Sequence, residues 1–260
     1  MATSEANHSR AICHARAAPL RRWSALLLVA ASTTLHPAAL EAQQDSSHVI
    51  KWWHGAVAVG GIAALMLLDP PVQRYAQDNS GTGADNVASV VRHFGQPEVY
   101  VTVTVGLAVA GLAAGDSRLV GSAKRVGASL LLAGATTGAA KFALGRARPD
   151  ETLDATSFSP FSGQDAMPSG HTAMAFALAT SLGDEIHRTW ASVGLYGLAT
   201  AVGWSRINDN RHWLTDVVSG ALVGITSAKL VSGRWRIFNL RPPAILATPG
   251  NVSIAWQGSF

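Results

Sequence analysis

The chain has 260 residues, enough for one catalytic domain of moderate size, and no segment repeats at the fixed period of a solenoid or propeller. Apolar residues make up 48% and charged residues 14%, a balance that leans toward a membrane protein, although Ala and Gly supply much of it and the mean hydropathy is only mildly positive. The formal net charge of +4 comes from scattered Lys and Arg without interleaved aromatics, which argues against nucleic-acid binding, and the single cysteine, Cys13, excludes a disulfide framework or cysteine-based zinc site within the chain.

Arg21 and Arg22 precede an apolar stretch over residues 23–32, and the small residues Ala38, Ala39 and Ala42 follow. That order predicts an export signal over residues 1–42, or an N-terminal anchor where it is not cleaved. Six apolar, Ala/Gly-rich segments come next, over residues 52–68, 99–114, 126–144, 172–182, 190–204 and 213–231. Their length, their lack of strict alternation and the polar or Gly/Pro breaks between them predict helices rather than strands. Gly106, Gly111, Gly134 and Gly138 would let backbones approach closely in a membrane bundle, and a tightly packed soluble core could use the same residues. Trp52, Trp53, Trp190, Trp204 and Trp213 stand at segment ends, where interfacial aromatics collect or where a tryptophan packs into the core at a helix end.

Six spans entered from the cytoplasm would put Lys124, Arg125, His187, Arg188, Arg234 and Arg236 inside, as the positive-inside tendency prefers. A cleaved signal would invert every span, unless residues 52–68 lie in the interface or the mature protein is soluble. Pro242 and Pro243 interrupt the end of the chain, and residues 236–260 read as an extended tail or short hairpin.

Three short motifs lie on this frame. Lys141 is followed after six residues by Arg148 and Pro149, two cations about the end of a helix, with Gly145 to turn the chain. Pro168, Ser169, Gly170 and His171 stand just before the fourth apolar segment, where unpaired backbone N–H groups and the helix dipole suit an anion, or where Ser169 simply caps the helix. Ser205 and Arg206 precede His212 and Asp216, whose spacing of four puts them on one helix face if the helix begins near His212. Asp216 could then accept a hydrogen bond from one imidazole nitrogen and leave the other free to attack. Asp209, between Arg206 and His212, is expected to pair with Arg211 or to solvate the loop, while His54 and His93 are expected to be interfacial or loop residues.

Each piece alone has an ordinary structural explanation, but their company contains the parts of phosphoryl transfer. Negative charge spreads over the equatorial oxygens in that transition state, so cations and N–H donors do most of the work. Lys141, Arg148 and Arg206 supply the charge, and His212 and His171 fit the attacking base and the acid that protonates the leaving alcohol.

Taken together, Lys141 with Arg148 and Pro149, Pro168 to His171, and Ser205 and Arg206 with His212 and Asp216 resemble the signature motifs of the type 2 phosphatidic acid phosphatase and vanadium haloperoxidase superfamily, with every signature position filled. The resemblance covers residues 50–235 and implies an all-α helical bundle of about six apolar helices, transmembrane, with the active site at one end. It implies that His212 takes the phosphoryl group, Asp216 orients it, His171 protonates the leaving group, and Lys141, Arg148, Ser169, Gly170 and Arg206 hold the phosphate, with no metal and no cofactor. The favoured reading is a phosphatase acting on a lipid phosphate or isoprenyl diphosphate in a bacterial-type inner membrane, its site facing the periplasm. A soluble exported acid phosphatase, periplasmic or secreted, is the second reading, and a vanadium-dependent haloperoxidase the third.

Overall fold

The computed structural model describes residues 48–237, 244–248 and 251–255. The region read as an export signal, residues 1–42, lies outside the described residues. The elements run β1 (His48–Ile50), α1 (Trp52–Leu65), a 3-10 turn (Met66–Leu68), α2 (Asp69–Asp78), α3 (Thr82–Val91), a second 3-10 turn (Arg92–Gly95), α4 (Pro97–Ala114), α5 (Ser117–Leu144), α6 (Gly170–Ile186), α7 (Thr189–Asn208), α8 (Leu214–Val231) and β2 (Trp235–Ile237). Strands β3 (Ala244–Thr248) and β4 (Asn251–Ala255) pair antiparallel, and β1 pairs parallel with β2, so strands are a minor addition to an all-α fold.

Helix ends follow local chemistry. Pro97 opens α4 and Gly115 closes it in the left-handed conformation. Asp116 caps α5, its side chain accepting the Arg118 N–H at 2.8 Å. Gly145 ends α5 with φ of 56°, and a Cβ there would lie 1.8 Å from the Ser159 carbonyl oxygen, so no other residue fits this turn.

Helix α6 is the centre of the bundle. One face packs with α5 through Val126, Leu130, Ala133, Ala177 and Leu178, and the other meets α7 through Ala175, Ala179, Ala199 and Val202. Its contact with α8 is closest of all. A Cβ on Gly220 would stand 2.5 Å from the Ser169 oxygen, and one on Gly224 would stand 2.3 Å from the Ala173 oxygen. The glycines expected to bring helices together do so unevenly: Gly111 meets the start of α5, Gly134 makes ordinary contact with Met174, and Gly106 and Gly138 have nothing within 4 Å. Periodic small residues announce that a helix can be approached, not which neighbour takes the opportunity.

The outer helices carry their apolar side chains outward. Trp52, Val57, Val59, Leu67, Val101, Val105, Val109, Leu112 and Leu131 are all exposed, a band that water would not favour. Among the described residues, four helical stretches are long and apolar enough to cross a membrane: Trp52–Asp78, Pro97–Ala114, Ser117–Leu144 and Leu214–Val231. Helices α6 and α7 fall outside that set, yet both run the length of the bundle as the sequence predicts. Residues 52–68 do not lie across its end. They run from the β1–β2 end to the far end, where Asp69 meets Thr215 at the start of α8. Trp213 is the exception among the interfacial tryptophans: it is 2% exposed and donates its indole N–H to the Ala147 oxygen at 3.1 Å.

Candidate active site

The start of α8 positions the histidine and carboxylate. His212 precedes the helix and is 4% exposed, and Asp216, in the first turn, is fully buried. Asp216 Oδ2 accepts the Trp213 backbone N–H at 2.9 Å, an acid at a helix N-terminus satisfying an otherwise unpaired donor. The same oxygen stands 3.5 Å from His212 Nδ1, beyond hydrogen-bond length, and Nδ1 is buried without another partner. Contacts of this kind commonly tighten when a ligand arrives. Burial pushes the His212 imidazole below its ordinary range and Lys141 and Arg206 add to that, against the opposing pull of Asp216. The ring is therefore neutral at pH 7, with a free lone pair.

Asp216 is held from behind by a residue that the spacing analysis passed over. Arg146 is fully buried and donates from Nη1 to Asp216 Oδ1 at 2.6 Å and from Nη2 to Asp69 Oδ2 at 2.6 Å. It lies among the six residues between Lys141 and Arg148, where it reads as filler. Asp69 lies at the end of the first apolar segment, before Pro70 and Pro71, where an acid reads as a helix start. A charge flanked by apolar and turn residues was the available signal in both cases.

Lys141, in the last turn of α5, and Arg148, beyond the Gly145 turn, converge on Asp165. Arg148 Nε and Nη2 each donate to a separate Asp165 oxygen at 2.9 Å, and Lys141 Nζ donates to the Asp165 backbone oxygen. Burial pushes the Asp165 carboxyl up, but Lys141 and Arg148 outweigh it and hold it below the usual carboxylate range. Arg206, at the end of α7, pairs through Nη1 with Asp209 Oδ2 at 2.8 Å, while its Nε is buried with no hydrogen-bond partner. Asp209 also meets Arg92 at 3.4 Å. The expected pairing of Asp209 with Arg211 does not form; Arg211 turns instead to Asp150.

Ser169 is the N-cap of α6 and is fully buried, its N–H donating to the Asp216 backbone oxygen at 2.8 Å and its Oγ accepting from Thr172 Oγ1 at 3.0 Å. That link ties the second motif directly to the third. Gly170 opens the helix beside Lys141, whose Cε lies 3.9 Å from where a Cβ would stand. His171 lines an open polar cavity of about 420 Å³ with Arg92, Gln96, Arg206, Asp209 and Arg211. Gly95 makes room for this wall, since a Cβ there would meet Val202 and the His171 backbone at 3.0 Å or less.

The structure thus brings Lys141, Arg148, Ser169, Gly170, His171, Arg206, His212 and Asp216 to one end of the bundle, and adds Asp69, Arg92, Arg146 and Asp165. Such a site offers an anion a ring of cations, the N-terminus of α6, the buried and unpartnered Arg206 Nε, and a neutral imidazole. His54 and His93 stay apart from it, each ring bonded to nearby backbone. Among the described residues no group of three or more His, Cys, Asp or Glu is placed to hold a metal ion.

Comparisons with known proteins agree with this geometry. The chain is 42% identical over 108 residues to a lipid A 1-phosphatase of Porphyromonas gingivalis, a match covering 41% of this chain and 22% of that protein, so the chain spans about a fifth of the relative's length. Two crystal structures share the fold. Aquifex aeolicus LpxE matches with a TM-score of 0.53 and 22% identity over 64% of this chain and 94% of that one. A transmembrane PAP2-type phosphatidylglycerolphosphate phosphatase from Bacillus subtilis matches with a TM-score of 0.52 and 20% identity over 68% and 92%. Residues 122–239, which include all three motifs, match the PAP2 superfamily.

Proposed function

We propose that the protein is a membrane phosphatase that hydrolyses a lipid phosphate through a phosphohistidine on His212. The observation that carries this reading is the convergence of a neutral, buried His212, backed by Asp216, with Lys141, Arg148 and Arg206 beneath the α6 N-terminus. In the first step the imidazole Nε2 attacks phosphorus, the P–O bond to the leaving alcohol breaks, and His171 gives its proton to the departing oxygen. In the second step water attacks phosphorus, the N–P bond breaks, and His171 takes the water proton back. The cations and the N–H groups of α6 balance the charge on the phosphoryl oxygens throughout. No step calls for a metal ion.

Two features support an apolar substrate and an outward-facing site. A short apolar crevice lined by Phe94, Val99, Leu195 and Val202 lies beside the His171 wall, and the outer helices are dressed for lipid. The bundle end opposite the site carries Arg118, Lys124, Arg125, Arg188, Lys229 and Arg234 against Asp116, Asp184 and Glu185. By the positive-inside tendency these cations support a cytoplasmic position for that end and a periplasmic one for the site. The names of the relatives favour a phosphorylated membrane lipid, lipid A and phosphatidylglycerolphosphate among them.

Phosphate release from lipid phosphates, a polyprenyl diphosphate and an aryl phosphate, with EDTA present, tests the proposal. Lipid-preferring hydrolysis that disappears in His212→Ala is expected. Turnover of the aryl ester alone would favour the soluble acid-phosphatase activity, and activity retained by His212→Ala would overturn the mechanism.

A further inference from the structure

The buried charge beneath His212 is more than a His–Asp pair needs. Arg146 sits between two fully buried carboxylates, Asp216 and Asp69, each 2.6 Å away. Its remaining donors are satisfied by the Ala155 oxygen, at 3.0 Å from Nε and 2.6 Å from Nη2, and by Thr215 Oγ1 at 2.7 Å. Asp69 is fixed in turn by the Thr215 N–H at 2.9 Å and the Thr215 hydroxyl at 2.5 Å. One carboxylate would already neutralise the guanidinium. The second leaves the cluster with a net negative charge, which is costly to bury unless something uses it.

We propose that Asp69 is a positioning residue for His212: by taking one side of Arg146, it leaves the charge of Asp216 uncancelled and that carboxylate aimed at the imidazole. The inference rests on His212 as the nucleophile. Around that ring, Lys141, Arg148 and Arg206 present positive charge, and Asp165 is occupied by the first two of them. Asp216 is then the negative group behind the ring, and an Arg146 paired with it alone would cancel much of its field. When Nε2 bonds to phosphorus while Nδ1 keeps its proton, the ring becomes cationic, and the net charge of the Asp69–Arg146–Asp216 cluster stabilises it.

The test uses the full chain in detergent, with acid-labile phosphoenzyme trapped from a radiolabelled lipid phosphate and kcat and KM measured against pH. Asp69→Asn removes one negative charge with little change of shape. It should lower kcat about ten- to a hundredfold with KM nearly constant, the scale for a residue acting through another. It should also move the acid limb of kcat/KM to lower pH, because less negative charge makes His212 harder to protonate. The double variant Asp69→Asn/Arg146→Gln restores the net charge by removing a cation as well, so its acid limb should return toward that of the wild type. A purely structural role predicts no such return, and it remains readable if the single variant folds poorly. A wild-type acid limb in Asp69→Asn, or a double variant displaced as far as the single one, would overturn the proposal. A wild-type enzyme that traps no phosphoenzyme while His212→Ala stays active would remove the reading beneath it.

Discussion

Asp165 grips Arg148 as a phosphate would, its two oxygens each 2.9 Å from a different guanidinium nitrogen, with Lys141 on the same residue. The site therefore holds a carboxylate of its own against two of the cations assigned to the ligand, and an incoming phosphate has to displace it. Part-exposed pairs of this kind are worth about 0.2–1 kcal/mol. Asp165→Asn should accordingly tighten competitive inhibition by inorganic phosphate or vanadate about two- to fivefold, read as Ki. Weaker inhibition would mean that Asp165 places the cations rather than competing for them.

The two histidines should separate by leaving group. His212→Ala should abolish turnover of every ester and leave no trapped phosphoenzyme. His171→Ala should lose about 10²–10⁴ in kcat on alkyl and lipid phosphates, where the departing alkoxide needs a proton, and much less on an aryl phosphate with a good leaving group. Equal losses on both substrate classes would argue against His171 as the acid.

Acid sensitivity follows from the burial of His212. A depressed imidazole stays in its attacking, unprotonated form until the pH falls below the ordinary histidine value of 6.5, so activity is kept above that value and lost as pH drops through the lowered one. Corrected for the second ionisation of the phosphate ester itself, at about 6, the acid-side midpoint of kcat/KM should lie below 6.5. A midpoint at or above 6.5 would show that the ring is not desolvated as the structure has it.

The α6–α8 contact makes a stability prediction. Gly220→Ala pushes a methyl group against the Ser169 oxygen, a clash with backbone that cannot rotate away, and should cost about 1–3 kcal/mol. Because Ser169 is bonded to the Asp216 backbone, kcat should fall as well. Gly138→Ala, in open space on α5, should leave kcat unchanged and hold or raise the melting temperature. Equal behaviour of the two variants would contradict the packing.

Much of this is legible in the sequence. The six long segments appear because length and apolarity suffice to mark a helix, and the eight residues that meet at one end of the bundle stand out by their spacing and by the family resemblance it carries. Arg146 and Asp69 were silent for a physical reason: their roles depend on a contact between the ends of α5 and the first pass, which no local pattern encodes. Trp213 takes the core-packed alternative rather than the interfacial one for a related reason. A tryptophan at a segment end looks interfacial, and only the Ala147 carbonyl that receives its indole N–H shows that it faces inward. The close-packed glycines were likewise unreadable, since Gly220 differs from Gly138 only in what lies opposite.

The pairing of His48 with Trp235 fixes the parity of the fold. Passes α1, α4, α5, α6, α7 and α8 are even in number, so the first and last described passes have their outer ends in the same place. Every group assigned to the phosphate comes from a turn that follows an odd pass or from a helix end beside such a turn, and the intervening turns carry only scaffold. Reporter domains joined ahead of residue 48 and behind residue 237 would thus occupy one compartment, and one inserted in the 150–160 loop would occupy the other.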